Sequence, residues 1–154
     1  MFKVTIVAVG KIKNKAIAGL IADYLKRLQP FAKIEMAEVP ALSFNEANRD
    51  KIKSEEGEKI LAYLKKHNFD EVWLAEETGK ILSSIELSKL LAKTQGHVAI
   101  VIGGALGLSA EVKKQISFQW SLSKLTLPHE MARLIIAEQL YRAATLERGI
   151  KYHY

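Results

Sequence analysis

At 154 residues, 49% hydrophobic and 26% charged, the chain has the length and balance of one globular domain with a real core. It has no cysteine, which excludes a disulfide framework, a cysteine-ligated zinc site and thiol catalysis, and fits the reducing cytoplasm, where we expect it. The net charge of +6 is concentrated: residues 1–33 hold seven basic side chains (Lys3, Lys11, Lys13, Lys15, Lys26, Arg27, Lys33) against Asp23, and the remainder balances.

"FKVTIVAVG" opens the chain as a strand that stops at Gly10. It is too strand-like for a signal peptide, and no apolar run is long enough for a membrane span. Ile17, Leu20, Ile21, Tyr24, Leu25 and Leu28 recur at helical spacing, which predicts an amphipathic helix from Ala16 to Leu28, ended by Pro30. "KIEMAEV" alternates as a half-exposed strand does. Ser43 and Glu46 form a capping-box pattern before a long polar helix ending near His67. "EVWLA" is the third strand, and Ser83 with Glu86 caps the next helix. The almost continuously apolar "HVAIVIGG" reads as a strand covered on both faces. A short helix follows Ser109, "QWSLSKLT" is a short strand or extended loop, and a last helix runs from Pro128 to about Arg148. Alternating strands and helices predict an α/β fold, one domain over 1–154, with a largely parallel sheet.

Ligands of open α/β sheets bind beyond the carboxyl ends of the strands. Three loops qualify: "EETGK", "GGALGLS" and "SLSKLTL". Gly103, Gly104 and Gly107 permit close backbone approach, to a ligand or simply to a tight turn. The sequence around them is neither GxGxxG nor a P-loop. "SLSKLT", between Leu122 and Leu127, offers main-chain groups that can grip a nucleotide-like base under leucine cover, or only a connection.

The last helix is apolar nearly all round yet carries His129, Glu130, Arg133, Glu138 and Arg142. His129 and Arg133 share one side, Glu138 and Arg142 the opposite side. Glu138 and Arg142 suit either a buried ion pair or catalysis, and His129 either a helix-start hydrogen bond or a ligand contact. Two faces pointing apart serve a pocket on one side and a partner subunit on the other. The basic N-terminal segment attracts polyanions, of which RNA is the commonest inside cells. Tyr152 and His153 of the closing "KYHY" suit base stacking and hydrogen bonding. The absence of a carboxylate pair, HExxH or nucleophile elbow disfavours hydrolysis, and nothing calls for a metal.

"VAIVIGGALGLS", "SLSKLTLPHEMARLIIAEQLYRA" and the closing "YH" together resemble the bacterial 23S rRNA pseudouridine N3-methyltransferases of the SPOUT superfamily, over the whole chain. The resemblance implies an α/β-knot fold with a C-terminal trefoil knot, a homodimer, and S-adenosylmethionine as cofactor. Carried over, it puts Leu74, Gly103, Leu122, Ser123, Lys124, Leu125, Thr126 and Leu127 around the cofactor, with Gly104 and Gly107 in the same turn. It implies methyl transfer to N3 of a pseudouridine in the RNA of the large ribosomal subunit. His153 and then His129 are the candidate bases, Arg142 or Arg133 the candidate charge stabilisers with Glu138 beside them, and Lys11, Lys13, Lys15, Lys151 and Tyr152 the RNA contacts. Lys151 stands where the family usually has proline, and Ala75 where many relatives carry Asp. The alternative is a non-catalytic RNA- or ribosome-binding α/β module whose glycine loop is only a turn.

Overall fold

The computed structural model describes residues 2–152. Five strands form one all-parallel sheet in the order β2-β1-β4-β3-β5. In chain order the elements are β1 (Lys3–Val9), α1 (Lys15–Leu28), β2 (Lys33–Val39), α2 (Arg49–His67), β3 (Glu71–Ile81), α3 (Ser84–Lys93), β4 (His97–Ile102), α4 (Ala110–Gln115), β5 (Phe118–Ser121) and α5 (His129–Glu147).

The alternation of strand side chains divides the core between the two faces of the sheet. Val4, Ile6 and Ala8 of β1 with Val98, Ile100 and Ile102 of β4 face Leu28, Leu87, Ile136 and Leu140 of α1, α3 and α5. Val7, Val9, Ala99 and Val101 face Ile60 of α2 and Val112 of α4. β1 and the central strand β4 are therefore buried on both sides, as the unbroken apolar run of β4 predicts. Helix α5 packs against α1 and α3, which explains its all-round apolar character.

Three local expectations change. The capping box before α2 is made by Asn45 and Asn48 around a short 3-10 turn, Glu46–Asn48, and not by Ser43 and Glu46. Glu46 instead pairs with Arg49 at 3.2 Å. The third strand does not stop at Ala75 but runs on to Ile81 along β5. Ala75 and Lys80 both pair with Trp120, so residues 76–79 loop out as a bulge. The "QWSLSKLT" segment divides: β5 begins at Phe118 and ends at Ser121, and residues 122–128 are irregular.

Candidate functional site

Because every strand runs the same way, all carboxyl ends meet on one side of the sheet. A cavity of about 680 Å³ opens there, bounded by the ends of β3 and β4, the glycine turn, the irregular segment and the first turn of α5. Its size suits a small organic ligand.

The glycine turn is a backbone device. The Gly107 N–H donates to the Gly104 carbonyl at 3.0 Å, folding the chain back immediately after β4. A Cβ on Gly103 would stand 2.7 Å from the Gly107 carbonyl carbon, so the two chain segments touch only because none is there. Gly107 has φ +73° and open space where its side chain would be. All three glycines line the cavity.

Opposite lies the leucine-bracketed segment. The Ser121 hydroxyl donates to the Ser123 carbonyl at 2.9 Å, and the Leu125 N–H donates to Ser123 Oγ at 3.0 Å, which holds the segment in a fixed bend. Leu122, Ser123, Leu125, Thr126 and Leu127 line the cavity, but Lys124 does not. Leu74 is fully buried in the core between α2 and the sheet, and its neighbour Ala75 reaches the cavity wall instead.

Several wall residues escape a reading of the sequence. The β3 bulge brings Glu76 and Glu77 to the rim, where Glu76 pairs with Lys113 at 3.0 Å and Glu77 accepts from the Thr126 hydroxyl at 3.0 Å. "EETGK" marks the place but not the bulge. Lys53 reaches the cavity from α2, the long polar helix, where no local pattern sets it apart from the other lysines.

Helix α5 separates its ionisable groups. His129 lines the cavity, and burial, followed by the nearby Arg133 charge, pushes its pKa below the usual histidine value. Its imidazole is therefore neutral near pH 7 and free to accept a proton. Arg133, on the same side of the helix, is wholly buried. Its Nη2 donates to the carbonyls of Val9 and Gly10 at 2.7 and 2.9 Å, and Glu38 lies 3.8 Å from Nη1. Arg133 thus braces the end of β1 and is not part of the cavity wall.

Glu138 and Arg142 form the expected i,i+4 pair, with Arg142 Nε and Nη2 donating to Glu138 Oε1 at 3.0 and 2.6 Å. The Tyr152 hydroxyl donates to the same oxygen at 3.3 Å, and the Arg142 guanidinium sits 4.8 Å over the Tyr152 ring. Burial first, and then the Tyr24 hydroxyl, push the Tyr152 phenol above its usual pKa, so it stays protonated. None of Glu138, Arg142 and Tyr152 lines the cavity of its own chain. Lys11, Lys13, Lys15 and Lys151 are exposed, and His153 lies outside the described residues. Among the described residues no group of three or more His, Asp or Glu is placed to hold a metal ion, and no helix is long and apolar enough to cross a membrane.

The chain matches the family model described as "Predicted SPOUT methyltransferase" over residues 2–153. Its relatives include proteins named "Ribosomal RNA large subunit methyltransferase H" from Limosilactobacillus fermentum (40% identical, covering 97% of this chain and 98% of the relative), Pelotomaculum thermopropionicum (39%, 100% of both) and Kosmotoga olearia (42%, 94% and 95%). Among solved structures, a probable methylase family protein from Haemophilus influenzae Rd KW20 superposes with a TM-score of 0.62 at 13% identity, over 99% of this chain and 71% of that one. A putative methyltransferase from Legionella pneumophila, solved with bound cofactor SAM, gives 0.52 at 12% identity over 92% and 66%. These two share the fold. With the model spanning nearly the whole chain and full-length relatives near 40% identity, the chain belongs to the SPOUT methyltransferase family.

Proposed function

We propose that this protein is an S-adenosylmethionine-dependent methyltransferase of large-subunit ribosomal RNA that modifies N3 of a pseudouridine in 23S rRNA. The observation that carries the reading is one cavity shared by the glycine turn, the leucine-bracketed segment and a neutral histidine. The wall has complementary chemistry for the cofactor. Leucines and open glycine backbone suit a flat adenine, carboxylates on the β3 bulge suit hydroxyl or ammonium groups, and Lys53 suits a carboxylate.

When bound, S-adenosylmethionine supplies an electrophilic methyl group. The protein's part is to hold N3 in line with that methyl and to receive the imide proton as the N–C bond forms. Neutral His129 is the described base, and His153, the first candidate from sequence, is the other. Arg142 supplies positive charge for the flanking carbonyl oxygens. Arg142, Glu138 and Tyr152 do not line the cavity of their own chain, so in this reading they complete the site of a second copy, where His153 is the further candidate. Exposed Leu125 and Met131 are apolar surface for that copy to cover. The reading carries the trefoil knot of the family and a cytoplasmic location with it. Lys11, Lys13, Lys15 and Lys151 hold the phosphates.

Two measurements test this. Calorimetry with S-adenosylmethionine should saturate, and mass-spectrometric mapping of rRNA should lose one methylated pseudouridine in cells lacking the gene. An absence of binding heat together with an unchanged rRNA map would leave a non-catalytic RNA-binding module.

A further inference from the structure

Resting on the reading of residues 11–15 as a loop that grips RNA, we propose that Glu130 is a positioning residue that clamps this loop to the start of α5, in register with the cavity. Its two carboxylate oxygens accept the backbone N–H groups of Lys13 and Asn14 at 3.0 and 3.1 Å, across more than a hundred residues of sequence. Asn14 passes the constraint on: its side chain caps α1 by accepting from the Ala16 and Ile17 amides at 2.9 and 3.1 Å.

The clamp has two jaws on one helix. One turn beyond Glu130, the Arg133 guanidinium holds the carbonyls of Val9 and Gly10. A cation takes the carbonyls on the inner side of the loop, and an anion takes the amides on its outer side. The loop between β1 and α1 is thereby fixed at both ends by residues three apart on α5, beside His129 in the cavity. The Lys11, Lys13 and Lys15 side chains remain exposed, and none forms an ion pair among the described residues. The hydrogen bonds donated by the two backbone N–H groups also keep the Glu130 carboxyl below its usual pKa, so it stays ionised.

A carboxylate inside a basic patch ought to repel RNA. If charge alone mattered, its removal would tighten RNA binding, and the two freed amides would offer phosphate an additional site. If it positions the loop, removal weakens binding. The signs are opposite, so the full-length Glu130→Ala and Glu130→Gln variants decide.

The clamp predicts a KM for an RNA stem-loop raised about tenfold in Glu130→Ala, from loss of two charge-assisted hydrogen bonds, with kcat and cofactor affinity little changed. Glu130→Gln keeps one acceptor oxygen and should fall between. Hydrogen exchange at the Lys13 and Asn14 amides should accelerate in the same order, a readout that needs no activity. An RNA KM that is unchanged or lower in both variants overturns the clamp, as does unaltered exchange. The Lys11→Ala, Lys13→Ala, Lys15→Ala triple variant separates the two layers. If it leaves RNA binding intact, the reading of the loop fails. If it weakens binding while Glu130→Ala does not, only the clamp fails.

Discussion

His129 shows how far one residue's chemistry depends on its neighbours. Its position at a helix start is visible in the sequence, but its neutrality follows from burial at the cavity wall and from the buried Arg133 charge. Replacing it with Gln should lower the single-turnover methyl-transfer rate by roughly ten- to a hundredfold, since positioning supplies part of the acceleration. The wild-type rate should fall on the acid side, with its inflection below the ordinary histidine value of 6.5. A limb at or above that value would count against His129 as the base. Gly103 is the sharper steric case. An alanine there must displace the Gly107 backbone, 2.7 Å from the new Cβ. An overpacking cost of about 1–3 kcal/mol, if it falls on the bound state, corresponds to roughly five- to 150-fold weaker cofactor binding by calorimetry. The glycines and His129 are recognisable from sequence because their residue types carry the argument. Arg133 is not, because a helical wheel gives a direction without saying that the end of β1 lies there.

Element ends are legible in the sequence where local chemistry sets them and hidden where a distant partner extends them. Ser83 with Glu86 caps α3 as expected, because a capping box is complete within four residues. β3 continues to Ile81 because β5, about forty residues later, supplies its pairing partner, and nothing in "EETGK" announces that. In the middle of α5, Glu138 is the hub for Arg142, for the Gln139 amide at 2.6 Å and for Tyr152. Glu138→Ala removes all three acceptor contacts from a half-buried site and should cost about 1–2 kcal/mol in urea denaturation. The backbone hydrogen bonds of α5 are untouched by the change, so the helix itself should persist. Exchange at the Tyr152 amide should rise in the same variant; unchanged protection would mean that the tail is held elsewhere.

For the whole molecule, the two faces of α5 lead to a test by mixing. If the cavity of one copy is completed by the Arg142 cluster of another, co-expressed His129→Ala and Arg142→Ala chains should form mixed dimers with one intact site. Activity should then exceed that of either variant alone; no recovery would return Arg142 to a structural role. Acid stability is also a property of the assembled fold. Burial depresses the pKa of both His97 and His129, while unfolded imidazoles titrate near 6.5. Below that value the unfolded chain binds more protons, so folding stability is present above it and declines as pH falls. Chemical denaturation at pH 7.5 and 5.5 should show the loss, smaller when either histidine is replaced by Gln.

Residue order alone was enough for the alternating α/β plan, the doubly covered β4, the glycine turn and the basic N-terminal loop. Each of these depends on composition or on contacts a few residues long. The bulge that lifts Glu76 and Glu77 to the cavity, the approach of Lys53 and the two-jawed grip of α5 on the loop after β1 came only with tertiary structure. Glu130 meets Lys13 and Asn14 across more than a hundred residues. Such meetings are set by how helices pack on a twisted sheet, and no local pattern encodes that packing.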